Sequence, residues 1–319
     1  MAFWKGYFTG DIHGSEQTFK KLLKAGKFYD VKAVIVAGDL VGKGMIPIIK
    51  EGSTYTCEFG GEPQKMETED ELRKMIGLID DSGFYHYLTT RDEVTDLLAN
   101  PEKSERLVNS LLMQRMESWM SQLEESSMKD GIDYYISPGN DDPFCVDPLL
   151  SCSKIVVNPE ERLVAVHEKI DMLTCGWTNP TPWDTERELP EDQLLDKLEG
   201  LVKMVPDVKK CIFSLHAPPY RTKIDVAPNL DKDLRMQSGL NGSPFQNVGS
   251  TAVRKVIEKY QPLVAVHGHI HESAGKDKIG NTLCFNPGSE YAQGVLRGII
   301  LIFNIDKQAK YVNYLSVSG

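Results

Sequence analysis

Five short runs rich in Val, Ile and aromatic residues each stop at a polar cluster, and no other feature of the chain restricts its fold as much. "AVIVAGD" ends at Asp39, "DYYISPGND" at Asn140, "CIFSLH" at His216 and "PLVAVHGH" at the histidines beginning with His267; the weaker run "YFTGDIHG" leads into Asp11 and His13. Apolar runs of this length, bounded by Gly or Pro, read as buried strands. Helical patterns lie between some of them. "SEQTFKKLLKAG" offers Ser15 as an N-cap and Gly26 as a stop, "PEDQLLDKLEGLVKMV" opens with Pro190 suited to a first turn, and "STAVRKVIEKYQP" ends against Pro262. Strands alternating with helices predict a layered α/β fold. The C-terminal third, with "NTLCFNPGS", "RGIILIFNID" and "KYVNYLSV", returns to β, and the last of these suits a half-buried strand at an edge.

Residues 45–131 differ. They are polar and helix-prone, and Leu107, Leu111, Leu112 and Met116 form one apolar stripe at helical spacing. The expectation is one domain over residues 1–319 with a mostly helical insertion at 45–131. Ordinary helices packed on the core would explain this segment, and so would a cap that shapes a substrate pocket.

The polar clusters carry the chemistry. Gly10-Asp11-Ile12-His13-Gly14, Gly38-Asp39, Gly139-Asn140-Asp141, His216 and Gly268-His269-Ile270-His271 each place Asp, Asn or His where a strand run stops. In open α/β sheets, sites form at the carboxyl ends of strands. A core histidine needs neither a glycine neighbour nor a strand terminus. Mixed carboxylate, imidazole and amide donors suit Mn, Fe, Zn or Ni rather than a thiolate site, and there are enough of them for two ions. Two ions ~3.5–4 Å apart bind a phosphoryl oxygen, activate a bridging water and stabilise displacement at phosphorus. Spacing alone allows either His267 with His269 or His269 with His271, since both pairs lie on one side of an extended chain.

Taken together, GDIHG, GDLVGKG, GND, a lone His after a strand and GHIH resemble the calcineurin-like metallophosphoesterase superfamily, in the family's order along the whole chain. "GWTNPTPW", "HAPPYRTK" and "NPGS" resemble a prokaryotic branch of predicted phosphoesterases. The resemblance implies a four-layer α/β/β/α sandwich. It also implies a metal-bridging hydroxide that attacks a phosphoester, most simply in a phosphodiesterase acting on a small nucleotide-like substrate. Carried over residue by residue, it makes Asp11 and His13 ligands of the first metal, Asp39 the bridge, and Asn140 and His216 ligands of the second. The family pattern Gly-His-x-His then assigns His269 to the second metal and His271 to the first, leaving His267 in a supporting or core position. His86 and His167 have no motif partners and read as structural or exposed.

Asn140 and Asp141 occupy the family's catalytic Gly-Asn-His motif, with Asp141 in place of the histidine that assists the leaving group. A carboxylate with a reference pKa of ~3.9 is a poor proton donor at neutral pH. This predicts a preference for good leaving groups, such as activated diesters or anhydrides, and leaves Asp141 free to hydrogen-bond a ligand histidine. The arginines of the superfamily's protein phosphatases are absent from these motifs. Lys43, Arg221 and Lys223 are near enough in sequence to bind phosphate, though solvated surface charge explains each as well. The net charge of −10 and the lack of a basic, aromatic stripe weigh against a nuclease. A non-catalytic scaffold would show missing ligands, and none is missing. No apolar run reaches the ~20 residues of a membrane span. The opening "MAFWKGYFTGD" has no secretory h-region, and the six scattered cysteines show no C-x-x-C pair. Reduced thiols in a cytoplasmic protein are the expectation.

Overall fold

The computed structural model describes residues 1–230, 236 and 244–319. Each of the five strand runs forms a strand, and they divide between two sheets. In the first sheet β1 (Phe3–Thr9) runs parallel to β2 (Ala33–Ala37), which runs parallel to β7 (Asp133–Ser137). On the other side of β1 come β16 (Arg297–Asn304) and, at the edge, β17 (Lys310–Ser318), both antiparallel to their neighbours. In the second sheet β9 (Ile170–Cys175), β10 (Cys211–Leu215), β13 (Val264–Val266) and β15 (Thr282–Asn286) are mutually parallel. The outer strands β8 (Leu163–His167) and β14 (Gly275–Ile279) are antiparallel. A short pair, β11 (Val226–Pro228) with β12 (Phe245–Asn247), lies apart from both sheets.

The period of two along each strand sorts its side chains between layers. Trp4, Phe8, Ala33 and Ile35 of the first sheet pack against Met172, Ile212, Val264 and Phe285 of the second. Tyr7, Val34 and Val36 point the other way, onto α1 (Glu16–Phe28), α4 (Pro101–Asp130) and α5 (Asp147–Cys152). Beyond the second sheet, Phe213, Leu215 and Ala265 meet α6 (Glu191–Val202) and α7 (Thr251–Tyr260). The order is therefore helices, sheet, sheet, helices. Burial of each large apolar side chain stabilises it by roughly 1.5–3 kcal/mol. All six cysteines are free and four of them are buried. Among the described residues, no helix is long and apolar enough to cross a membrane.

Local signals held at helix starts and slipped at one end. Ser15 caps α1 by accepting from the Thr18 backbone N–H. Gly26 does not stop it, because α1 runs on to Phe28. Gly26 is instead a packing residue, since a Cβ there would lie 2.9 Å from Ile132 Cγ2. Pro190 stands just before α6, as its N-cap.

Residues 45–131 hold more than helices. A four-stranded sheet, in the order β5 (Glu62–Met66), β4 (Thr54–Phe59), β3 (Met45–Glu51), β6 (Tyr85–Thr89), lies beside α2 (Glu69–Asp81), α3 (Arg91–Ala99) and α4. Ile48, Tyr55, Cys57, Met66, Leu72 and Ile79 form its own small core. Turns at Gly52 and at Gly60-Gly61, all in the left-handed region, fold the first three strands into hairpins. The polar residues between them hide this pattern in the sequence. The helix stripe is genuine in its middle: Leu112 and Met116 are buried, with Trp119, Met120 and Leu123 continuing it onto the main core.

Glu160 accepts from the Gly176 backbone N–H at 2.8–2.9 Å, just beyond β9. Burial pushes its carboxyl up to about 7. A carboxyl raised in the folded state stabilises fully below its unfolded pKa and loses that contribution as pH rises through about 7. Glu160→Gln, which stays neutral, is therefore expected to gain on wild type by ~1–3 kcal/mol between pH ~5 and ~8 in urea unfolding. An equal difference at both pH values would contradict this.

Candidate metal centre

The residues singled out from the sequence converge at the carboxyl ends of the parallel strands. Asp11 and His13 follow β1, Asp39 follows β2 and Asn140 follows β7; His216 follows β10, and His269 and His271 follow β13. All but His269 and His271, which are partly buried, are buried. Asp11, His13, Asp39 and His269 adopt positive φ, at 54°, 39°, 54° and 68°. For non-glycine residues this costs about 1–3 kcal/mol each, and such outliers gather where a side chain must be aimed. Two glycines admit the close approach. A Cβ on Gly268 would lie 2.5 Å from Asp11 Oδ2, and one on Gly139 would lie 2.3 Å from Asp39 Oδ1.

The ligands expected from the sequence fall into two sets, which a third group of His13, Asp39 and Asp141 overlaps. Asp11, His13 and His271 offer atoms all within 4.8 Å of one another, and so do Asp39, His216 and His269. The sets meet at Asp39, whose Oδ2 is 3.2 Å from His216 Nε2 and 3.6 Å from His13 Nε2. His13 Nε2 and His271 Nε2 face each other at 3.1 Å. Asp11 Oδ1 lies 3.4 Å from His271 Nε2. His269 and His271 thus go to different sets.

Second contacts fix these groups. His216 Nδ1 donates to Ala37 O at 2.7 Å, which turns Nε2 inward. Asp11 Oδ1 accepts from the His269 backbone N–H, and Asp39 Oδ1 from that of Asp141. Asn140 Nδ2 donates to Thr185 Oγ1 at 2.9 Å and to Asp141 Oδ1 at 3.2 Å, so its Oδ1 is left without a partner. His267 stands outside both sets. Its Nδ1 donates to Leu215 O and Ala217 O, on either side of His216, and so holds that strand end.

Buried polar atoms are nearly always hydrogen-bonded. Here Asp11 Oδ2, His13 Nδ1, Asn140 Oδ1 and His216 Nε2 are not, and they cluster at one place. That donor set fits divalent transition metals bound by imidazole and oxygen. The electrostatics agree. Burial holds His13 and His269 down to about 3 and about 4. Burial also acts against a charge on His216, but Asp39 and Asp11 overcome it and push that imidazole up to about 10.

Residues 7–273 match the calcineurin-like phosphoesterase family. The chain belongs to this family of phosphoester hydrolases. An uncharacterized protein of Methanocaldococcus jannaschii is 34% identical over 164 residues, which span 51% of this chain and 66% of that protein. One crystal structure aligns over 98% of this chain and 99% of its own, with a TM-score of 0.55 and 14% identity, and so shares the fold. A protein of Thermus thermophilus aligns over 93% and 94%, with a TM-score of 0.49 and 12% identity.

Several residues that support this phosphoesterase centre were not singled out from the sequence. Asp142 is fully buried and accepts from the backbone N–H groups of Leu40, Val41 and Gly139 at 2.7–3.0 Å. It therefore ties the loop of Asp39 to the loop of Asn140. Arg187, also buried, donates to Asp142 O and pairs with Asp147. In the NPGS turn, Asn286 Nδ2 donates to Ile270 O at 2.9 Å and Ser289 Oγ to Asp11 O at 2.6 Å. From the 45–131 segment, Arg115 donates to Gly14 O and Phe84 O, and Tyr85 Oη accepts from the Gly42 N–H. The segment is thus braced against the loops after β1 and β2. None of these has a spacing signal, because, apart from the contact of Asp142 with Gly139, they act across more than 15 residues of chain.

The remaining sequence candidates separate. Lys43 reaches the centre, with Nζ 3.0 Å from Asp141 Oδ2. Asp141 Oδ2 lies 3.7 Å from His13 Nδ1, near but not hydrogen-bonded. Arg221 lies over the Tyr220 ring, and Lys223 is exposed. His86 pairs with Asp80, and His167 Nδ1 accepts from the Lys169 N–H.

Proposed function

We propose that the chain is a two-metal phosphodiesterase that hydrolyses a small, nucleotide-like substrate. The observation that carries this reading is the division of the donors into two sets that share Asp39. Asp11, His13 and His271 would hold one divalent ion, and Asn140, His216 and His269 the other, with Asp39 between them. When bound, the ions would polarise the phosphoryl group and activate a water between them. The chain's own residues then select the substrate. Asn140 brings an oxygen without a charge and so preserves the positive potential of the centre. Asp141 adds a negative charge at the rim, so a singly charged diester meets less repulsion there than a doubly charged monoester. Lys43 balances that charge and can turn to a phosphate oxygen. Trp183 is exposed on the loop whose Thr185 touches Asn140, and its ring offers a face to a base. A carboxylate at Asp141 would only accept hydrogen bonds, which would favour activated diesters or anhydrides over alkyl monoesters.

Chelator-stripped protein is expected to hydrolyse bis(p-nitrophenyl) phosphate only after Mn²⁺ is added. Added Mn²⁺ at ~100 times its Kd should also stabilise the fold by ~2.7 kcal/mol per site in thermal unfolding. His271→Ala is expected to lose one ion and at least ~100-fold in kcat/KM, whereas His267→Gln keeps both ions. No hydrolysis with Mn²⁺, Fe²⁺, Ni²⁺ or Zn²⁺ would overturn the reading.

A further inference from the structure

Tyr291 was not among the sequence candidates, yet it walls the first set of donors. Its ring centroid lies 4.6 Å from that of His13 and 5.8 Å from that of His271. Ser289 Oγ, which donates to Asp11 O, also accepts the Tyr291 N–H, so the residue is tied to the strand end that carries Asp11. Gly83, from the 45–131 segment, closes the outer side: a Cβ there would come within 3.2 Å of Tyr291 Cε2. The ring is held by elements from three parts of the chain. Its hydroxyl makes no hydrogen bond among the described residues and is not sealed off.

The ring stands against His13, whose Nδ1 lies 3.7 Å from Asp141 Oδ2, and that oxygen lies 3.0 Å from Lys43 Nζ, so the phenol borders the cleft these residues line. Asp141 is already engaged, with Oδ2 against Lys43 and Oδ1 accepting from Asn140. A neutral donor at this rim is the Tyr291 hydroxyl.

We propose that Tyr291 is a catalytic residue whose hydroxyl donates a hydrogen bond to the departing oxygen of the phosphoester. This rests on the phosphoesterase reading above. The bond from phosphorus to the leaving oxygen breaks with its electron pair on that oxygen, and a bond from phosphorus to the oxygen of the attacking water forms. Tyr291 stabilises the charge developing on the leaving oxygen and keeps its own proton. The departing group takes its proton from solvent, which also receives the proton lost by the water.

The test compares methyl phenyl phosphate with methyl p-nitrophenyl phosphate, using Mn²⁺-loaded wild type and Tyr291→Phe, which keeps the ring. The poorer leaving group needs the hydrogen bond more. Tyr291→Phe is expected to lose roughly 10- to 100-fold in kcat/KM on the phenyl ester and less than about 3-fold on the nitrophenyl ester. Its Mn²⁺ content and its thermal shift on Mn²⁺ addition should match wild type. Equal losses on both esters, no loss on either, or a fall in metal content would each overturn the proposal. A wild type inactive on both esters would instead overturn the phosphoesterase reading beneath it.

Discussion

Asp39→Asn is expected to lower bound metal from two ions to one or none and to cost at least ~10³-fold in kcat/KM, the equivalent of about 4 kcal/mol. Asp39 Oδ2 lies within reach of both sets, near His216 on one side and His13 on the other, and nearer to the opposite set than Asp11 Oδ1, which is 4.0 Å from His216. The other Asp39 oxygen is held by the Asp141 N–H, so the carboxylate cannot swing to serve one ion at the expense of the other. Asparagine fills the same space but brings no charge, and it can turn an N–H₂ toward the cations. Burial works against the Asp39 charge, but His216 and His13 overcome it and hold the carboxyl well below the usual range, so the metal-free variant is also expected to lose some stability. Metal content by elemental analysis, with circular dichroism on the metal-free variant, separates lost chemistry from lost folding. A variant that keeps two ions and wild-type kcat/KM would show that Asp39 does not bridge.

The sequence made the strand ends legible because their signals are local. A short apolar run followed by Gly and a polar residue is visible without a partner, and five such ends point to one edge of two sheets. The histidine cluster was harder. Spacing left two pairs open and only the family resemblance favoured His269 with His271; in the fold His267 turns back to the carbonyls around His216, while His269 and His271 face different carboxylates. What stayed hidden was interaction between distant segments. The sheet at 45–66 was masked by polar residues on hairpins whose apolar face meets mostly its own small core. Nothing in the sequence sets Asp142 apart from Asp141, although it is the fully buried one and Asp141 the one at the rim. Tyr291 carried no motif of its own, and its neighbours His13 and His271 lie in loops far away in the chain.

Asp142→Ala is expected to be the most destabilising single change near the centre, at ~3–6 kcal/mol. The carboxylate accepts from three backbone N–H groups in a region closed to solvent, with Leu40 N shared between both oxygens. Alanine leaves all three without acceptors, and each buried unsatisfied group costs about 1–3 kcal/mol. Against a total stability of ~5–15 kcal/mol this is a large fraction. The damage should also reach the metals, because the loops that Asp142 ties together carry Asp39 and Asn140. Arg187 cannot substitute, since its guanidinium is committed to the carbonyl of this same residue and to Asp147. In urea unfolding of the metal-free protein, Asp142→Ala should therefore fall well below both wild type and Asp141→Ala, whose side chain stands at the rim. Saturating Mn²⁺ should recover part of the loss, because ions held by both loops would pull them together where the carboxylate no longer does. If Asp142→Ala and Asp141→Ala unfold at the same urea concentration, the backbone donors have found other acceptors and the two loops do not depend on this carboxylate.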